Sequence, residues 1–336
     1  MKITVKSKFH NYKVRIEDDY ACFRGVALST LKGKKICVYS DANFNADEII
    51  SALKGYEVYP LNSAGGERTK TVEQALTITE FLYKHDFARG DALIAVGGGT
   101  ISDIAGFAAA VYMRGIKYIN VPTTLLSAVD ACVGGKTAAD AFGGKNILGA
   151  FYPPSAVYIA EKTIKNLPGQ EIFCGKGEIV KYAFIDESLT AGDLGKIPDG
   201  EVIYKCLKIK AQFVGKDEFD CGKRKILNLG HTAAHAYEAA SGFTLPHGEA
   251  VARGLYKIIK VSQKYYGFTD EKAEKMRDLL RAAGFDEKYD CDLAHAPLNK
   301  DKKSCDGNID LVLLKDTGKP RIVNLSIKKA EEIFEW

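Results

Sequence analysis

The sequence predicts an α/β domain followed by a mostly helical one, and three observations carry that expectation. Over the first 160 residues, short β-branched runs alternate with helical stretches, the rhythm of parallel strands joined by crossover helices. After Leu167-Pro168 the strands thin out and amphipathic helices follow one another. The length of 336 residues exceeds what one hydrophobic core usually spans, so two domains are expected, 1–165 and 166–336.

In the first part, Lys35–Tyr39, Glu57–Pro60, Ala92–Val96, Tyr118–Val121 and Ala156–Ile159 read as strands. Val72–His85 and Ile104–Tyr112 carry apolar residues at helical spacing between them. The expected sheet is Rossmann-like and mostly parallel, with residues 2–18 as an added antiparallel hairpin. In such sheets ligands sit beyond the carboxyl ends of the strands. In the second part Glu171–Ile185, Gly200–Lys216, Ile226–Ser241, Gly248–Tyr266 and Asp270–Ala283 read as helices. Leu311–Leu314 and Arg321–Leu325 read as a late hairpin.

Composition narrows the function. Forty-seven Lys+Arg against 43 Asp+Glu leave a net charge of +4 without basic stripes, which argues against nucleic-acid binding. The longest apolar stretch, Ile104–Met113, falls well short of the roughly 20 residues that cross a bilayer. The opening MKITVKSKFH lacks the apolar core of a signal peptide. The eight cysteines show no C-x-x-C pair and no regular spacing, as in a cytoplasmic protein with scattered thiols.

Three clusters carry chemistry. In Ala92–Asp103, ALIAVGGGTISD, an apolar strand runs into Gly97, Gly98 and Gly99, with the helix expected from about Ile104. Such glycines let backbone amides and a helix N-terminus approach a pyrophosphate, or simply allow a tight turn; the string is not G-x-G-x-x-G. Pro122–Asn146 holds two Gly-Gly-Lys units, ending at Lys136 and Lys145, with Thr123, Thr124 and Asp130 upstream. Glycine loops carrying lysines suit a phosphorylated or carboxylated substrate. Finally, three of six histidines, His231, His235 and His247, fall within 17 residues. His231 and His235 share a helix face, and convergent imidazoles are zinc-site material. HTAAH lacks the glutamate of H-E-x-x-H. Glu178, with Lys181 one turn on, is the natural carboxylate to complete the shell.

These segments together resemble the 3-dehydroquinate synthase family of sugar-phosphate cyclases. GGERTK, GGGTISDIAGFAAAVYMRG, PTTLLSAVDACVGGKTAADAFGGKNILGAFYPP, GEIVKYA, RKILNLGHTAAHAYE and LPHGEAVARG occur in the family's order, over about residues 35 to 315. The resemblance implies a dehydroquinate synthase-like fold: an NAD-binding first domain and a helical, metal- and substrate-binding second domain. It implies conversion of 3-deoxy-D-arabino-heptulosonate 7-phosphate to 3-dehydroquinate and phosphate in the shikimate pathway, with NAD and a divalent metal, zinc or alternatively cobalt. Carried over residue by residue, it makes Glu178, His231 and His247 the metal ligands. Asp41, Asn43, Glu67, Lys70, Gly98, Gly99, Thr100, Asp103, Thr123, Thr124, Lys145, Asn146 and Asn166 would serve the cofactor. Asp130, Lys136, Lys181, Lys210, Arg224, Asn228, His235 and a lysine of Asp301–Lys303, taken as Lys302, would hold and turn over the substrate. Arg114 would reach the phosphate of the neighbouring subunit in a homodimer.

The chain departs from the family pattern in places. Where the family writes DEREGGLR, Asp217–Arg224 reads DEFDCGKR, so Phe219 and Asp220 replace an arginine and a glutamate. Asn166 stands where the family has threonine. Two other readings share the two-domain plan. One is a cyclase making inosose or valiolone rings. The other is a metal-dependent glycerol or alcohol dehydrogenase, which would have little use for five clustered cations.

Overall fold

The computed structural model describes residues 1–290 and 307–334. It divides into two compact units, Met1–Leu167 with Asp199–Phe219, and Pro168–Pro198 with the chain from Asp220 on.

The first unit opens with β1 (Lys2–Val5) and β2 (Tyr12–Glu17), then α1 (Phe23–Thr30), β3 (Lys35–Asp41), α2 (Asp47–Ala52) and β4 (Glu57–Ser63). It continues with α3 (Val72–Lys84), β5 (Ala92–Gly97), α4 (Gly99–Val111) and β6 (Lys117–Pro122). A hairpin of β7 (Lys136–Ala141) and β8 (Gly144–Phe151) precedes β9 (Ala156–Ala160) and α5 (Glu161–Lys165). Seven strands form one sheet in the order β1-β2-β9-β6-β5-β3-β4. Only β1 and β2 pair antiparallel, and β2 then joins β9 in parallel, so the opening hairpin extends the main sheet. Because side chains alternate across a strand, Ile36, Val38, Ile94 and Val96 pack on one face with Phe23 and Ile49. Cys37, Tyr39, Leu93 and Ala95 pack on the other with Ile78, Leu82 and Ile104. Each fully buried aliphatic side chain contributes roughly 1.5–3 kcal/mol. β4 and β5 lie on opposite sides of β3. The strand order therefore reverses there, and the carboxyl ends of β3 and β5 flank the crevice such sheets use for ligands.

Local chemistry explains the boundaries. The Thr71 hydroxyl caps α3 by accepting from Gln74 N–H at 3.2 Å, and Ala75, Ile78 and Leu82 form its buried stripe. Helix α4 begins five residues earlier than its apolar pattern suggested. Gly98 is extended, and Gly99, Thr100 and Asp103 already lie in the helix. The Gly-Gly-Lys units, read as loops, are built into the β7–β8 hairpin instead: Lys136 opens β7 and Lys145 lies in β8. Helices α1 and α2 were not anticipated; both are short, six to eight residues, and carry few apolar positions for a periodicity to register.

The chain next forms α6 (Gly169–Ile185) and α7 (Ala191–Gly195) of the second unit. It returns to the first unit as α8 (Gly200–Lys216), which was expected in the helical half but packs on β1 and β2. Asp199 caps α8 by accepting from Glu201 and Val202 N–H, each at 3.1 Å. The second unit resumes with α9 (His231–Ala240), α10 (His247–Tyr266) and α11 (Asp270–Ala282). It ends with β10 (Asn308–Asp316), β11 (Lys319–Ser326) and α12 (Ile327–Phe334). The single helix expected over Ile226–Ser241 is broken. A 3₁₀ turn covers Lys223–Asn228, and Gly230 at φ +79° starts α9 afresh. Helix α10 is central to this unit, packing against α6, α9, α11 and β10. Among the described residues no helix is long and apolar enough to cross a membrane.

Candidate active site

In the first unit, three parallel strands end at residues singled out by the sequence: β3 at Asp41, β5 at Gly97 and β6 at Pro122. The Asp41 carboxylate accepts from Asn43 N–H at 2.9 Å and from its side-chain amide at 3.1 Å. Gly65, at φ +71°, lets the backbone pass against that carboxylate, where a Cβ would overlap it. Gly97 leaves no room for a Cβ beside Ile101, and Thr123 N–H donates to Gly97 O at 3.0 Å. The strand thus turns tightly into α4, whose first amides lack helical partners and form an anion-attracting end.

Around that end the expected cofactor residues engage one another. Lys70 Nζ lies 2.6 Å from Asp103 Oδ2. Burial works against the Lys70 charge, but Asp103 and Glu67 outweigh it and raise the ammonium's pKa. Thr100 donates to Glu67 at 3.2 Å, and Lys145 pairs with Glu67 at 3.3 Å. Asp140 N–H donates to Lys70 O, and the Asp140 carboxylate accepts from Asn146 N–H, both at 2.7 Å. The β7–β8 hairpin is thereby tied to the loop before α3. Asn146 holds a left-handed φ of +54° there. Thr124 accepts from Ser127 N–H at 3.2 Å, opening a π-helical turn, Ser127–Ala131, that presents Asp130. Such turns recur at functional sites. Buried Lys210, on α8, donates to Asp130 O at 2.6 Å and pairs with its carboxylate at 3.1 Å. Lys136 is exposed at the start of β7. Asn166 stands at the C-cap of α5, its N–H donating to Lys162 O at 3.3 Å. Arg114 sits exposed in a turn where Met113, Arg114 and Gly115 all have positive φ, a conformation costly for two of the three.

Phe219, in place of the family's arginine, has a packing role in this unit. Its ring meets Phe151 edge-on at 5.3 Å and Phe9 at 6.2 Å, with the Lys8 ammonium 4.9 Å above it. Asp220, the next residue, takes a left-handed φ of +57°.

The second unit holds the metal candidate. Glu178, His231 and His247 each offer a ligand atom, all within 4.8 Å of one another. His247 Nε2 lies 3.0 Å and His231 Nε2 3.2 Å from the same oxygen, Glu178 Oε1. The second nitrogen of each ring is committed. His231 Nδ1 donates to Leu229 O at 3.2 Å, and His247 Nδ1 meets Glu238 Oε1 at 3.0 Å. A carbonyl can only accept, so His231 donates from Nδ1; in the neutral ring, which burial favours, Nε2 turns its lone pair toward a carboxylate oxygen. Two acceptors facing each other in a buried space call for a cation between them. Borderline imidazole and carboxylate donors, with outer hydrogen bonds fixing the rings, fit a zinc-like dication. Burial would raise the Glu178 pKa, but the Lys181 ammonium and the two histidines hold it well below the usual carboxylate range. Burial pushes His231 down. Burial would lower His247 too, yet the hydrogen bonds to Glu178 and Glu238 raise it to about 10.

The remaining residues divide around this cluster. Lys181, only 1% exposed, lies 2.5 Å from Glu178 Oε2, so its charge faces the carboxylate. His235 is exposed one turn beyond His231, ring centroids 5.7 Å apart, and is not in the ligating group. Arg224 is buried and Asn228 half-buried in the 3₁₀ turn. Lys302 lies outside the described residues. Glu238 escaped the sequence reading. Its signal is the spacing His231, His235, Glu238, positions i, i+4 and i+7 of one helix face.

Comparison with known proteins agrees with this architecture. The family description 3-dehydroquinate synthase N-terminal matches residues 61–174, and its C-terminal counterpart matches 175–304. A 3-dehydroquinate synthase of Clostridium tetani is 40% identical over 84% of this chain and 79% of its own length. That of Methylacidiphilum infernorum is 37% identical over 100% of this chain and 97% of its own. Among solved structures, a 2-deoxy-scyllo-inosose synthase complexed with carbaglucose-6-phosphate, NAD+ and Co2+ is similar, with a TM-score of 0.88 at 25% identity over 99% of both chains. Sequence relatives matched nearly end to end and two family halves matched in order lead to one conclusion: the chain belongs to the 3-dehydroquinate synthase family.

Proposed function

We propose that this chain converts 3-deoxy-D-arabino-heptulosonate 7-phosphate to 3-dehydroquinate and phosphate, by transient oxidation, phosphate elimination, re-reduction and intramolecular aldol closure. The observation that carries the reading is the triad in which His231 and His247 face one oxygen of buried Glu178, in a chain of this family. Glu178, His231 and His247 would hold a divalent metal, zinc or cobalt. Asp41, Asn43, Glu67, Lys70, the Gly98–Asp103 turn, Thr123, Thr124, Lys145, Asn146 and Asn166 would serve NAD. When bound, the dication supplies a Lewis acid for the hydroxyl to be oxidised and NAD a reversible hydride acceptor.

The chain's own residues do the rest. The substrate carries roughly three negative charges, a phosphate and a carboxylate. On the first unit, Lys136 at the mouth of β7 and Lys210, oriented by Asp130, provide point charges for them. On the second, buried Arg224 offers a planar fork, while Asn228 and exposed His235 donate hydrogen bonds, His235 to phosphate. Lys181 keeps Glu178 ionised and so available as a ligand. A cytoplasmic homodimer, with Arg114 reaching the neighbouring copy's substrate and Lys302 adding to the substrate contacts, completes the proposal; resemblance supports these parts. Phosphate release from the heptulosonate phosphate, compared with a hexose 6-phosphate, tests the substrate. Preference for the hexose would move the chain to the inosose-forming reading.

A further inference from the structure

Each proposed metal ligand stands next in sequence to a glycine: Gly177 before Glu178, Gly230 before His231 and Gly248 after His247. These glycines mark places where helices meet backbone to backbone. A Cβ on Gly248 would lie 2.6 Å from the Cys174 carbonyl carbon and overlap its oxygen. A Cβ on Gly177 would lie 2.6 Å from Gly248 Cα and overlap Gly248 O. Gly248 N–H also donates to Cys174 Sγ at 3.4 Å. Two turns along α10, a Cβ on Gly254 would overlap Gly230 O and stand 3.2 Å from Ala234 N. The obstacles are backbone atoms, so no side-chain rotation could relieve them.

Helix α10 therefore presses on α6 at the Glu178 end and on the start of α9 at the His231 end. We infer that Gly248 and Gly254 are positioning residues whose bare backbones set the convergence of the three ligands, making the metal site a preassembled tripod with α10 as its hub. Metal–ligand bonds of about 2.0–2.2 Å leave only a few tenths of an ångström of tolerance. A methyl group at either glycine forces a larger displacement. At Gly248 it moves His247 away from Glu178; at Gly254 it moves His231 away from His247. Neither glycine offers a donor to the metal.

The inference rests on the metal reading proposed above, and the test separates the two. Zinc affinity, by competition with a chromophoric chelator, and the visible absorption of bound Co2+ are measured on the full chain. The variants are Gly248→Ala, Gly254→Ala and, as control, Gly195→Ala, whose Cβ would meet only Ala282 O, at 3.7 Å. Both hub variants are expected to lose roughly 10- to 100-fold in zinc affinity and to shift the cobalt bands, with the control unchanged. Native circular dichroism with unaltered zinc affinity and cobalt spectrum in both hub variants overturns the inference. So does an equal loss in the control. If both hub variants stay unfolded in excess zinc, the contacts hold the unit's core and not the site, and the inference likewise fails. A wild-type chain that takes up no zinc would instead remove the metal reading itself.

Discussion

The two candidate regions satisfy their polar groups in opposite ways. In the first unit the residues proposed for the cofactor complete one another, Lys70 with Asp103 and Glu67 with Thr100 and Lys145, and Asp140 ties in Asn146. In the second unit the buried Glu178 oxygen is faced by two imidazole nitrogens, one of them an acceptor in the neutral ring that burial favours. A self-complementary network keeps its shape without a ligand and loses little when one member changes. A cluster whose ligands converge on one ion binds it only when all of them are present, so losing one member costs the ion while the helices around it keep their places.

The largest effects should thus lie in the second unit. His247→Ala, or chelation of the wild type, should take turnover below detection while circular dichroism stays native. A variant with full zinc content and normal turnover would break the ligand assignment. Next, Glu238→Gln should weaken zinc binding roughly 10- to 100-fold, because it loosens the outer bond that orients His247. The pH dependence has a definite sign. His247 in the metal-free chain is raised to about 10, so metal must displace its proton. Zinc affinity should climb about tenfold per pH unit between roughly pH 7 and 9. In the metal-free chain the same proton stabilises the fold fully below the unfolded value of 6.5 and is lost as pH rises through about 10. A flat affinity profile would contradict the proton's role.

Smaller effects belong to the first unit. Lys136→Ala should slow phosphate elimination at least about tenfold, since a charge-assisted phosphate contact is worth roughly 1.5–3 kcal/mol. NAD affinity should hardly move, because the Gly98–Asp103 turn and Asp41 are separate groups. Smallest of all, Thr100→Ala removes one hydrogen bond from a network with others to spare, and NAD affinity should fall by about two- to tenfold. A loss approaching that of the metal-site variants would erase the contrast between the two regions.

The sequence made the first unit's sheet legible because β3, β5, β6 and β9 are apolar runs, buried on both faces, that leave one reading. The histidine cluster was legible too, with three imidazoles inside 17 residues. The pair on one helix face, His231 and His235, is nonetheless split by the structure: His247, from the next helix, converges with His231 and His235 does not. The sequence was less legible where glycine decides the path. Gly230 breaks what apolar periodicity reads as one helix over Ile226–Ser241, and Gly98 lets α4 begin at Gly99, before its apolar stripe. Pairing between distant segments left no local trace either. Nothing near Gly200–Lys216 says that it packs on β1 and β2, and nothing near Glu67 says that Lys145 meets it. Phe219 illustrates the converse. Against the family pattern it reads as a loss of charge, whereas the structure packs it against the rings of Phe9 and Phe151 and under the Lys8 ammonium.

The most direct test follows phosphate and NADH together in one reaction of the chain with the heptulosonate phosphate, NAD and metal. The account predicts phosphate release with no accumulating NADH, stopped by chelator and restored by zinc or cobalt. Steady NADH formation without phosphate release would contradict it and return the chain to the dehydrogenase reading.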